Sequence, residues 1–171
     1  TRGSPVTKKG MHDFQVVHLM QREKALLGFL GHKVDHVLIL CTRAAKLILQ
    51  GRITEACTFI PSFEHCANLG IKIILIPIFV PHHWVYCSIH FRESGILACG
   101  WDSADYHEYE IDEVAHEVLW HFGCHGFKAT PAFTPKQVLE YSCGTFGAAL
   151  VRAAVLETDI RAGLAWERGL Y

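Results

Sequence analysis

The chain has 171 residues, half of them apolar and 19% charged, with a formal net charge of −1 at neutral pH. That length fits a single domain with a substantial core, and the apolar fraction excludes intrinsic disorder. A near-neutral balance does not point to nucleic acid, and no apolar run approaches the roughly 18–20 residues of a membrane helix, so neither partner is expected.

The first segment, Thr-Arg-Gly-Ser-Pro, is polar and starts at Thr1, with no signal-peptide pattern. Residues 1–12 are expected to be a loose tail of a piece cut from something longer, and residues 13–171 one catalytic domain. Residues 13–28 read as a helix or an irregular lead-in. Between His32 and Gln50 the apolar positions Val34, Val37, Leu38, Cys41, Ala44, Ala45 and Ile48 recur at helical spacing, and Gly51 is a stop. Residues 71–80 are rich in Ile and Val and predict a buried strand ended by Pro81. Residues 84–91 alternate in character as a second strand. Glu93-Ser94-Gly95 forms a turn, and residues 96–102 return as a third strand of the same hairpin. Residues 111–122 carry helical periodicity closed by Gly123. Residues 127–133 read as a short edge strand, because Pro131 cannot complete an inner ladder. Residues 143–157 form a helix apolar on nearly every side, hence central. Thr158 caps a last helix holding Ile160, Leu164 and Trp166. The expected fold class is α+β: a small central mixed or antiparallel sheet flanked by helices.

Charge and cysteine content add two constraints. Residues 1–46 hold eight Lys/Arg against three Asp/Glu, whereas residues 102–117 hold seven acids and no Lys or Arg. That acidic stretch is either a face for a basic partner or a solvated helix side. The seven cysteines form an odd set, mostly inside apolar runs, without a secreted disulfide framework. A reducing compartment, cytoplasm or nucleus, is therefore expected.

Four side chains carry the chemistry. In chain order they are His83, Asp102, Gln137 and Cys143: imidazole, carboxylate, amide and thiol. A thiol is a weak nucleophile until ionised, with a free pKa near 8.5. Ser142 is a good N-cap, which puts Cys143 in the first helical turn, where the dipole favours an anion. Gly144 leaves room for a substrate backbone, and its first-turn N–H has no helical partner, so it suits an oxyanion. His83 opens a strand after Pro81-His82, and Asp102 closes the partner strand, within reach to hold one tautomer of the ring. Gln137 offers a neutral donor to the same oxyanion. Trp84 either points to the opposite face or shields the site. The other reading is metal: His82, His83 and Cys87, or His121, Cys124 and His125. Neither set has the spaced pairs of structural zinc sites, so no metal and no cofactor is expected. Trp84 and Trp101 have a plain core reading as well, and Trp120 and Trp166 fit core positions.

Leu75-Ile76-Pro77, His83-Trp84, Trp101-Asp102-Ser103, Gln137 and Ser142-Cys143-Gly144 together resemble the ubiquitin-like-specific cysteine proteases. These are the SUMO or sentrin proteases of clan CE, related to the adenovirus protease and to bacterial effector deubiquitinases. The resemblance spans roughly residues 30–157, and its His, Asp, Gln, Cys order differs from papain's Cys-first order. Ser142 stands where that family usually carries Asp. The resemblance implies a papain-like fold with the catalytic Cys at the start of a buried helix. It assigns the base to His83, the orienter to Asp102, the oxyanion donor to Gln137 and the nucleophile to Cys143. Trp84 would cover a narrow tunnel, leading to Gly144, that admits a Gly-Gly tail. The implied partners are SUMO or ubiquitin and their conjugates, in the cell itself or in a host cell if the protein is a secreted effector. The rival expectations are a clan-related acetyltransferase, which more often carries Glu as orienter, and a module that binds a modifier without cleaving it.

Overall fold

The computed structural model describes residues 13–81, 83–93, 95–102, 108–124, 130–131 and 143–157. The first element is a helix, α1 (Asp13–Phe29), whose Val16, Met20 and Leu27 are buried. The expected helix over residues 32–50 is instead a short strand, β1 (Val37–Ile39), followed by α2 (Thr42–Leu49). Val37-Leu38-Ile39-Leu40 is an unbroken apolar run, which period alone cannot assign to helix or strand. A neighbouring strand edge decides it: β1 pairs in parallel with residues 73–75, and the Leu40 N–H extends the ladder to the Leu75 carbonyl at 2.9 Å. Cys41 is extended, and the helical half of the pattern starts only after it. Gly51, at φ +77°, ends α2 as its sequence suggests.

Two short helices follow that the apolar pattern does not announce, α3 (Ile53–Cys57) and α4 (Phe63–Leu69). The second has a sequence signal in its caps. Ser62 Oγ accepts the His65 N–H at 3.1 Å, and Gly70 closes it in the left-handed region.

The antiparallel hairpins come next: β2 (Ile73–Val80), β3 (His83–Arg92) and β4 (Gly95–Trp101). Pro77 sits inside β2, an inner strand, where a missing N–H would normally break a ladder. It is tolerated because β1 pairs no farther than Leu75, so beyond that residue β2 faces a partner on one side only. After β4 come α5 (Glu108–His121), the edge strand β5 (Thr130–Pro131) and α6 (Cys143–Leu156). Among the described residues the sheet has five strands in the order β1-β2-β3-β4-β5, with parallel outer pairs and antiparallel inner ones. The fold is α+β with a mixed central sheet. Residues 1–12 and the expected helix after Thr158 lie outside the described residues.

Alternation along β3 splits the core in two. Val85, Cys87 and Ile89 face α2 and α5, while Trp84 and Tyr86 face α1 and α6. Burying a Leu-sized side chain contributes about 1.5–3 kcal/mol, so both layers hold the sheet strongly. Burial also pushes the Cys87 thiol up, which marks it as a core residue rather than a reactive one.

α6 lies close against the sheet because Gly147 has no side chain. A Cβ there would stand 2.9 Å from Tyr86 Oη and 3.0 Å from Met20 Cγ. Gly147→Val is expected to destabilise the domain by about 1–3 kcal/mol, read from a urea melt, with the sulfur-bearing helix pushed off the sheet. An unchanged midpoint would show that the close approach is not enforced. Arg152 Nε to Glu23 Oε2, at 2.7 Å and mostly buried, ties α6 to α1. Met20 beside Gly147 and Glu23 beside Arg152 mean that the two helices run the same way.

Candidate active site

His83 is the first residue of β3 and Asp102 follows the last residue of β4. The register pairs Tyr86 with Trp101, so Asp102 lies just past the last rung and reaches diagonally toward the strand start. The contact forms: His83 Nε2 and Asp102 Oδ1 are 2.9 Å apart. Both side chains are buried, at 8% exposure each. A carboxylate only accepts, so this bond puts a proton on Nε2 and makes Nδ1 the nitrogen whose protonation can change. Burial of the pair out of water strengthens the bond and fixes the ring plane.

α6 starts at this end of the sheet. Phe146 stacks on Tyr86 with centroids 5.9 Å apart, and Gly147 sits beside the same ring. Later residues of α6, from Leu150 to Ala154, and Glu157 just after it lie alongside Ser88 to Arg92. The helix and β3 therefore run in the same sense, and Cys143, the first residue of α6, comes at the end marked by His83 and Asp102. An exposed first turn leaves N–H groups without helical acceptors and a positive dipole end. The side chains of Cys143 and Gly144, together with His82, Gln137 and Ser142, lie outside the described residues.

Trp84 is 2% exposed, and Phe79, its cross-strand partner on β2, covers it at 45% exposure with centroids 5.0 Å apart. The indole is thus wedged under a second aromatic at the His83 end. Sequence reasoning missed Phe79, although its place one residue before the strand end, next to a known cross-strand Trp, is a signal. Of the residues weighed as metal ligands, His82 and His125 lie outside the described residues, and His121 and Cys87 have other contacts. His121 Nε2 donates to the Ile60 and Pro61 carbonyls, at 3.1 and 3.2 Å, pinning α5 to the loop before α4. Cys87 is packed in the core. The acids of α5 that are described, Glu110, Asp112, Glu113 and Glu117, are all part-exposed. Among the described residues no helix is long and apolar enough to cross a membrane.

No protein-family model matches the chain, and no curated protein matches it in sequence. Solved structures do. A de-sumoylating protease superposes with a TM-score of 0.66 at 15% identity, covering 94% of this chain and 68% of the other. The Xanthomonas campestris effector XopD, solved bound to ubiquitin, gives 0.65 at 17% identity, covering 97% and 96%. The C-terminal protease domain of Ulp1, solved with Smt3, the yeast ortholog of SUMO, gives 0.65 at 10% identity, covering 88% and 68%. The chain has the fold of the ubiquitin-like-specific proteases.

Proposed function

We propose that the chain is a cysteine peptidase that cleaves after the C-terminal Gly-Gly of a ubiquitin-like modifier, as an isopeptidase or a precursor-trimming enzyme. The observation that carries this reading is the buried His83–Asp102 contact at the sheet end where α6 begins with Cys143. Taking two titratable groups out of water costs free energy, and orienting an imidazole for catalysis gives a reason to keep such a pair. A module that only binds has no use for an oriented imidazole beside a helix-start thiol.

The steps follow from the atoms. His83 Nδ1 takes the thiol proton, and the dipole of α6 stabilises the thiolate. The thiolate attacks the carbonyl carbon of the terminal glycine. The oxyanion is held by the Gln137 amide and a first-turn N–H of α6 such as that of Gly144. The C–N bond breaks as imidazolium returns its proton to the leaving amine, and water then hydrolyses the thioester. Asp102 stays ionised and balances the imidazolium throughout. Trp84 and Gly144 line a tunnel too narrow for a Cβ, which selects glycine. No metal or cofactor takes part in this scheme.

The test uses SUMO and ubiquitin carrying a C-terminal alkyne in place of the last carboxyl. One of them is expected to form a covalent adduct mapped to Cys143, and the one that does names the modifier. Labelling by acetyl-CoA with no modifier adduct would overturn the hydrolase reading in favour of acyl transfer. Gln137→Ala is expected to lower kcat about 10²–10³-fold with little change in KM, since its contact exists only in the transition state. Equal loss from KM would instead make Gln137 a substrate-binding residue.

A further inference from the structure

A cavity lies away from the proposed thiol end. Ser88, His90 and Arg92 line it, and they are five to nine residues along β3 from His83. At about 3.3 Å per residue that is roughly 16–30 Å. It holds about 360 Å³ between the second half of α6 and the sheet. That is the low end of ligand-pocket sizes, enough for a fragment-sized molecule.

Its walls are of two kinds. Leu75, Trp101, Leu150 and Ala153 make an apolar floor and roof. The polar wall is internally bonded: Trp101 Nε1–H donates to Ser88 Oγ at 2.8 Å, and Ser88 Oγ lies 2.7 Å from His90 Nε2. Burial, then the Arg92 charge, holds His90 down at about 4, so it is neutral at physiological pH and serves as a hydrogen-bonding wall. The charges that line the cavity are Lys72 and Arg92 against one carboxylate, Glu157. His36 completes the lining, and its Nε2 is buried without a hydrogen-bond partner among the described residues. A buried polar atom of this kind costs free energy until something meets it.

We propose that this cavity is a second ligand site, taking a small organic anion whose apolar body lies between Trp101 and Leu150 and whose carboxylate or phosphate head is met by Arg92 and Lys72. Apolar walls alone would take a neutral ligand equally well. The two cations are what select an anion. The site stands whether or not the peptidase reading holds, because none of its groups belongs to that machinery.

The test titrates octanoate, phenyl phosphate and neutral 1-octanol into the full ¹⁵N-labelled chain, following the Trp101 indole N–H resonance. At least one anion is expected to move it saturably, with octanol at least about tenfold weaker. Saturation by octanoate alone makes the head a carboxylate, and by phenyl phosphate alone a phosphate. Arg92→Glu, an exposed substitution, should weaken the anion about tenfold or more, and Ala154→Phe should fill the cavity and abolish binding. Cys143→Ala should leave binding intact. No saturable shift with either anion at about 10 mM, equal affinity for octanol, or unchanged affinity in Arg92→Glu would overturn the proposal. So would loss of binding in Cys143→Ala, which would assign the ligand to the thiol end. If Ala154→Phe does not fold, Arg92→Glu decides alone.

Discussion

Replacing either Cys143 or His83 by Ala is expected to lower kcat for a modifier–fluorophore conjugate by about four powers of ten or more, with the double variant no slower than either single one. Under the proposed mechanism the two groups act as one unit: without the imidazole the thiol would keep its proton, and without the sulfur the imidazole would have nothing to activate. Non-additivity is therefore the diagnostic, more than the size of either loss. A His83→Ala protein within tenfold of the parent would remove the ring from the reaction. Additive losses would mean that the two side chains work at separate steps. Either variant should still bind an uncleaved conjugate, because neither substitution touches the packing of Tyr86, Phe146 and Gly147 that seats α6.

Asp102→Asn should cost about 10²–10⁴ in kcat, although the substitution is nearly isosteric. The contact at 2.9 Å is made to His83 Nε2. A carboxylate can only accept there, from neutral imidazole and from imidazolium alike. An amide can turn its N–H₂ toward Nε2, which moves the ring proton to Nδ1, the atom that must accept. It also removes the negative charge that balances imidazolium in a buried place. KM should change little, since ground-state binding needs neither effect. Asp102→Glu, which keeps the charge on a longer arm, should recover part of the loss. An Asn variant within threefold of the parent would show that the contact is structural. A thermal melt separates the cases, because loss of activity with an unchanged melt isolates the chemical role.

Much of the hairpin was legible because its physics is local. Val/Ile-rich runs, a Pro81 stop and the Glu93-Ser94-Gly95 turn set β2, β3 and β4 by period 2 and turn chemistry, and so put His83 and Asp102 at one end. The all-apolar stretch from Cys143 was legible for the same reason, since only a central helix buries every side. The first strand was not: Val37 to Leu40 satisfies two periods, and the deciding term is a hydrogen-bonding edge supplied by residues 73–75. α3 and α4 escaped because short surface helices rest on caps such as Ser62 and on contacts made far away in the chain. The cavity was illegible in a different sense. Ser88 and His90 interrupt the apolar face of β3, but only the end of α6, about 60 residues later, turns that interruption into a partly open cavity. Of the candidate site, the His83–Asp102 pairing is a distance in hand, while the parts assigned to Gln137, Cys143 and Gly144 rest on the experiments above.

The ion pair between Glu23 and Arg152 joins positions 129 residues apart, whereas His83 and Asp102 are separated by 19. During synthesis the chain emerges from its amino end at about 5–20 residues per second. The imidazole and its carboxylate can therefore meet in a nascent hairpin, but α6, which carries Cys143, docks on a helix made more than a hundred residues earlier. Under the proposed mechanism a nascent chain would hold the oriented imidazole first, and the thiol would become reactive only once α6 has docked on α1.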